Sequence, residues 1–194
     1  MKSTVIMGSL TRRQSGLRDA LVDLFLAKGF LQFTLDDIAA ELSCSKRTLY
    51  ALAESKEQLA VLAVREFFRR STDQVEAAIA RTRAHGRRLT GYLEAVAAAL
   101  APASRAFTDD VANFPPAREI YERNTEAAAR RVRELIDEGC REGAFRTVDS
   151  TFVAEVVTAS MRRITSGELT AATGLNDAQA YRELAKLTLA AVRR

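Results

Sequence analysis

Apolar residues recur at helical spacing almost from the start of the chain. Leu17, Leu21, Leu24 and Phe25 stand at i, i+4, i+7 and i+8, which places one stripe on a helix running from Thr11 to Lys28. Thr11 and Gln14 have the spacing of a capping box at its start. Gly29 follows, where a positive φ ends a helix at little cost. A second, short helix is predicted over residues 34–42, with Thr34 as its cap and Asp36 and Asp37 favourable to the dipole at its N-terminus. Ser45 opens a third, ending near Tyr50. It keeps Leu49 and Leu52 on one side and turns Lys46, Arg47, Thr48 and Tyr50 outward. Ser55 and Gln58 repeat the capping spacing before a long helix expected to reach about Arg83. Leu59, Val61, Leu62, Val64, Phe67 and Phe68 leave its first three turns almost without a polar side, the pattern of a helix packed on several sides.

Beyond an expected break at His85-Gly86 the pattern stays helical: residues 88–101, a short piece over 103–111, then a long helix from Pro116 to about Gly139. On that long helix Glu126–Arg130, Arg130–Glu134 and Arg133–Asp137 are spaced as exposed i,i+4 pairs. Residues 149–166 and 176–192 form a final pair. Val153, Val156, Val157, Ser160, Met161 and Ile164 stripe the first, and Tyr181, Leu184, Ala185, Thr188 and Val192 the second, with Leu187 and Ala191 widening it. These stripes look wide enough to serve two seams, one inside the protomer and one against a second copy. Val153, Val157, Ser160, Met161, Tyr181, Leu184 and Thr188 are therefore the expected dimer interface, a four-helix bundle about a two-fold axis.

Composition sharpens the class. Among 194 residues, few glycines (9) and prolines (3) and abundant Ala, Leu, Glu and Arg favour an all-α protein. A net charge of +4 is too small to imply a nucleic-acid partner by itself. Its placement says more. Lys2, Arg12, Arg13 and Arg18 occupy the first 18 residues without an acid, and they precede two short helices separated by a turn of about three residues. Two such helices, the second with a basic outer face, form the pattern of a helix-turn-helix whose second helix enters the DNA major groove. A basic arm beside it suits phosphate contacts, with Arg12 and Arg13 the candidates nearest the motif. No apolar run marks a secretory signal or a membrane span, so the cytoplasm is the expected address and no membrane partner is expected.

Gly29-Phe30, Phe33-Thr34, Ile38-Ala39, Ser45, Thr48-Leu49-Tyr50 and Ser55-Lys56-Glu57 together resemble the TetR/AcrR family of bacterial transcriptional regulators, in the family's order and spacing. The resemblance implies a three-helix DNA-binding domain followed by a helical regulatory domain that binds a small molecule and dimerises through its last two long helices. On this reading residues 1–55 are an arm and DNA-binding domain. Residues 56–194 are the regulatory and dimerisation domain, with a connector helix over about 56–83. Thr34, Tyr50 and Lys56 match positions that hold phosphates in the family, and Lys46, Arg47 and Thr48 match recognition-helix positions after the Ser45 cap. Two departures stand out: Ser43, followed by Cys44, replaces the usual glycine of the turn, and Ala53 replaces an aromatic that anchors the recognition helix.

Little else in the chain carries chemistry. The single histidine, His85, is expected in a solvated loop, and Asp36-Asp37 and Asp109-Asp110 are expected as helix-end capping acids. Cys44 and Cys140 are too far apart in sequence for a zinc spacing or a disulfide framework, and Cys140 is expected as a packed thiol. No cofactor motif and no nucleophile elbow is present in the sequence. Phe67, Tyr92, Phe107, Phe114, Tyr121 and Asn124 are the candidate lining of a pocket for a small hydrophobic or amphipathic ligand. The expected function is a ligand-responsive repressor acting as a homodimer on a palindromic operator. A helical regulator controlled by a protein partner, with no pocket, is the second reading, and an all-α enzyme the third.

Overall fold

In the computed structural model, which describes residues 11–194, ten α-helices follow one another among the described residues. They are α1 (Arg12–Lys28), α2 (Leu35–Glu41), α3 (Lys46–Tyr50), α4 (Lys56–Ile79), α5 (His85–Leu100), α6 (Arg105–Asn113), α7 (Pro115–Arg141), α8 (Ser150–Thr165), α9 (Glu168–Thr173) and α10 (Asp177–Val192). The arm expected over residues 1–10, with Lys2, lies outside the described residues. The fold is all-α, an N-terminal helix-turn-helix domain followed by a helical C-terminal domain. The described residues pair in β fashion only at one isolated bridge, Phe145 with Arg193.

Local chemistry sets the helix starts. Thr11, Thr34, Ser45, Ser55 and Asn176 each accept a bond from the backbone N–H three residues on, so each start satisfies an otherwise free donor. The capping boxes are reciprocal at Thr11–Gln14, Thr34–Asp37 and Asn176–Gln179. At Ser55 the box is half made, because Gln58 accepts the N–H of Glu54 instead (2.9 Å).

Two apolar cores result. The first gathers Leu21, Phe25, Phe30, Ile38 and Leu49 of the N-terminal segment against Leu59 and Val64 of α4. It does not stop at residue 55: Phe67, Phe107, Val111, Ala117 and Ile120, from α4, α6 and α7, belong to the same cluster. The second joins α5, the later turns of α7, α8 and α10 with Val75 and Ile79 at the end of α4. The connector helix thus touches both cores.

Several expectations are corrected. The connector ends at Ile79 and not near Arg83, and His85-Gly86 starts α5 instead of breaking the chain. Glycine there serves close packing, since a Cβ on Gly86 would come within 3.3 Å of Leu189 on α10. His85 is no solvated loop residue: its ring packs edge-on to Phe145, and Nε2 lies 3.0 Å from Glu142 Oε2. On α7 the ion pairs are Arg123–Glu119, Arg118–Glu122 and Arg131–Glu134 in place of the three read from spacing. Arg131 also reaches across to Glu76 of α4 (2.8 Å), an option that one-helix spacing cannot show. Helix α9 was not foreseen. Its six residues lie between two left-handed glycines, Gly167 and Gly174, and are too few for a periodic stripe.

Candidate nucleic-acid interface and adjoining cavities

Helix α3 is anchored by Leu49, which is fully buried, and presents Lys46, Arg47 and Tyr50 to solvent. The hydroxyls of its cap are occupied: Ser45 Oγ accepts from Thr48 N (3.2 Å) and lies 2.8 Å from Thr48 Oγ1. Thr34 Oγ1 donates to Asp37 Oδ2 (2.7 Å), so its first role is to start α2. These bonds from Thr34, with its N–H foremost, hold the Asp37 carboxyl below its usual range. Lys46 is paired with Asp36 (2.8 Å) in the open, a contact easily exchanged for a phosphate. Arg47 makes no ion pair among the described residues and is the free cation of the helix. Arg12 and Arg13 are exposed in the first turn of α1, next to Gln14, whose Nε2 approaches Ala51 O at the end of α3 (3.5 Å). The basic pair therefore stands beside the recognition helix. Arg18 does not extend that surface: it turns inward to Asp19 and Glu66.

Between the two helices Ser43 has φ 48°, the one positive-φ residue among the described residues that is not glycine. The turn does need a left-handed residue, and serine supplies it under strain. Ala53, where the resemblance implies a ring, is half-buried and packs against the first core.

The rest of the chain grips this unit at two places. Glu66 of α4 is buried, and its carboxylate meets Arg69, Arg70 and Arg18. Arg69 chiefly, with Arg70 and Arg18, lowers the Glu66 pKa to about 2 against the opposing effect of burial. The second grip is Asp110 of α6, which accepts the N–H groups of Phe30 and of Leu31 (2.8 Å). Gly29, with φ 77°, turns those two N–H groups toward α6, and a Cβ there would meet Asp110 and the backbone of Ala106. Ser104 N donates to Leu26 O (2.8 Å), and Lys56 Nζ to Leu31 O (2.8 Å), closing the same corner. Asp110 thus caps another element instead of its own helix. Only the glycine at 29 hinted at it in the sequence.

Two cavities lie beyond this corner. The inner one, about 240 Å³, is lined by Tyr92, Tyr121 and Asn124 of the sequence-predicted set, with Glu76, Arg131 and Tyr181. The outer one, about 890 Å³, is lined by Phe67, Phe107 and Tyr121 together with Arg105 and Thr108 of α6. Phe68, Leu100, Tyr121, Thr165 and Tyr181 border both. Phe114 lines neither. It is corrected to a core residue, its ring edge-on to Phe30 at 5.9 Å, where it ties the start of α7 to the first core. Burial pushes the pKa of Tyr92 and of Tyr181 up, so both phenols stay protonated.

The descriptions of known proteins agree with this geometry. A model of the family "Bacterial regulatory proteins, tetR family" matches residues 17–64, from α1 through the first turns of α4. The matched segment, about a quarter of the chain, is thus similar to the DNA-binding domain of tetR-family regulators. No curated protein matches the sequence. Among solved structures, a TetR transcriptional regulator from Chloroflexus aurantiacus is 22% identical, with a TM-score of 0.75 over 94% of this chain and 99% of that one. A candidate transcriptional regulator from Saccharomonospora viridis, solved in complex with choline, is 17% identical, with a TM-score of 0.76 over 94% and 98%. The ketosteroid regulator KstR2 of Mycobacterium tuberculosis is 19% identical, with a TM-score of 0.62 over 96% and 98%. At these identities the likeness establishes the fold of the C-terminal domain, not its ligand.

The last helix pair buries most of the residues expected at the dimer interface. Val157, Met161, Tyr181, Leu184 and Thr188 are buried inside the protomer, and Val153 and Ser160 are half-buried. The outward apolar groups of the pair are Phe152 (67% exposed), Val156 (48%) and Leu187 (68%). Of the stripes read from the sequence, Val156 and Leu187 face outward, while Val157, Met161, Tyr181 and Leu184 close the second core. No described helix is long and apolar enough to cross a membrane, and the described residues bring no three His, Cys, Asp or Glu side chains together as a metal site. Both cysteines are free and half-buried, and Cys140 Sγ lies 3.2 Å from Arg146 O.

Proposed function

We propose that this regulator is a homodimeric repressor, released from a palindromic operator by a small molecule that enters the cavities of the C-terminal domain. The supporting observation is that α6 does two jobs. It lines the outer cavity with Arg105, Phe107 and Thr108, and through Asp110 it holds the backbone that joins α1 to the helix-turn-helix. An occupant that moves α6 therefore changes the seat of the recognition helix, and a ligand that binds one seat better shifts the population toward it. A structural relative that holds choline supports a small-molecule occupant.

In this reading residues 1–55 form the DNA-binding domain and residues 56–194 the regulatory and dimerisation domain. Arg47, Lys46 and Thr48 read bases. Thr34, Ser45, Tyr50, Lys56, Arg12 and Arg13 hold phosphates. The dimer forms on the outward faces of α8 and α10, and a fixed dimer sets the spacing of about 34–36 Å that successive major grooves require. The test begins with duplexes enriched from a random pool, which should carry an inverted repeat. Arg47→Ala should weaken the enriched duplex by about 1–3 kcal/mol and random DNA much less. Lys56→Ala should weaken both alike and reduce the salt slope by about 1. Equal losses on both DNAs for Arg47→Ala, or enrichment of no repeat, would remove the assignment.

A further inference from the structure

Tyr181 carries more than packing. It sits on α10 at the wall between the two cavities and is 2% exposed, yet its phenol Oη has no hydrogen-bond partner among the described residues. The hydroxyl of Thr165 donates to Met161 O (3.0 Å) and makes no hydrogen bond with Oη. A buried donor is costly to leave unmade, and one enclosed in a residue that borders two cavities asks for an occupant that accepts. Since burial raises its pKa, the group is a neutral donor at physiological pH.

Three of the four charged residues around the inner cavity pair with one another. Arg131 gives Nε and Nη2 to the two oxygens of Glu76 (2.8 and 3.1 Å) and Nη1 to Glu134 (3.1 Å). Arg130 balances the second carboxylate, so the four charged residues of the lining sum to zero. A cationic ligand would have to break a two-pronged arginine–carboxylate pair to find a counter-ion, and an anionic one has only the exposed Arg130. The inner walls are otherwise uncharged, with Phe68, Val75, Val96 and Leu100 their apolar part, and the outer space sets Phe67 and Phe107 beside four arginines and five carboxylates that nearly balance. The inner volume suits a small head, and the outer one falls in the usual range of small-molecule pockets.

We propose that these cavities take a neutral, largely apolar molecule bearing one carbonyl or hydroxyl group, which sits at the junction and accepts a hydrogen bond from Tyr181 Oη. This rests on the reading of the cavities as the regulator's ligand site and adds the chemistry of the ligand.

The probes are benzophenone and diphenylmethane, matched in shape but differing in the carbonyl, with 4-benzoylbenzoate as the anionic analogue and its trimethylammonium counterpart as the cationic one. Each is measured by equilibrium dialysis with the full chain. Benzophenone should bind about tenfold tighter than diphenylmethane, the ratio of one hydrogen bond, and tighter than either charged analogue. Tyr181→Phe should bring benzophenone and diphenylmethane within about twofold of each other. The ligand-free variant should melt no lower than the parent, since it loses only an unpaired hydroxyl. Irradiation of bound benzophenone should label peptides of α4, α7 and α10. Labelling at those helices with a ratio that Tyr181→Phe leaves intact, or tighter binding of a charged analogue, overturns the head-group assignment alone. Failure of all four probes to bind, with no label on those helices, overturns the ligand-site reading and this inference with it.

Discussion

Ser43 is a residue whose conformation opposes its chemistry. At φ 48° an L side chain crowds the following carbonyl, and glycine would not. Ser43→Gly should therefore raise the stability of the N-terminal unit by about 1 kcal/mol, read as a higher urea midpoint at unchanged slope. Glu66 is the opposite case, a carboxylate made more stable by its neighbours. Its pKa of about 2 lies below the ordinary 4.5, so its contribution is complete above about pH 4.5 and is lost as pH falls toward 2. Comparison of the protein with Glu66→Gln across pH 6, 4.5 and 3 should show a stability gap of at most about 3 kcal/mol at pH 6 that narrows with acid. A gap that stayed constant would mean that the arginines do not act through charge. The strain at 43 was legible as a departure from the family turn. The cluster at 66 was not, because Asp19 and Arg18 reach it from another helix.

At the level of elements, α6 is the piece that links the parts. Its carboxylate at 110 satisfies two backbone donors that Gly29 exposes, and hydrogen bonds to a charged group are worth more than neutral ones. Asp110→Ala should cost about 1–3 kcal/mol and should speed amide exchange around residues 29–33 while leaving α8 and α10 unchanged. Uniform acceleration through the whole chain would show that α6 is ordinary scaffold and not a local link. Helix periodicity located α1 and α2 closely and α4 up to its end, since capping and i,i+4 spacing act within one segment. It misplaced the start of α5 because Gly86 signals a helix break in sequence, whereas in space it admits Leu189.

For the whole molecule the proposed dimer turns on the outer side of α8 and α10. Phe152 and Leu187 are large, apolar and about two-thirds exposed, which in a lone protomer leaves apolar area in water. Phe152→Glu combined with Leu187→Glu should give a monomer by sedimentation at micromolar concentration, with helix content intact and palindrome binding lost. Leu184→Glu should instead unfold the second core, because Leu184 is 8% exposed and faces inward. A double variant that remains dimeric and binds the operator as before would place the interface elsewhere.

The sequence by itself determined what is local: the helix caps, the two short helices and outward Lys46, Arg47 and Tyr50, and the all-α class. Each depends on residues within about four positions of one another. Tertiary structure alone decided which side of α8 and α10 is covered, that Asp110 serves the backbone at Phe30 and Leu31, and that Tyr181 stands unpaired between two cavities. An apolar stripe records that a face avoids water, but not which neighbour covers it. Groups 79 and 80 positions apart, as Asp110 is from Leu31 and Phe30, meet only once the chain has packed.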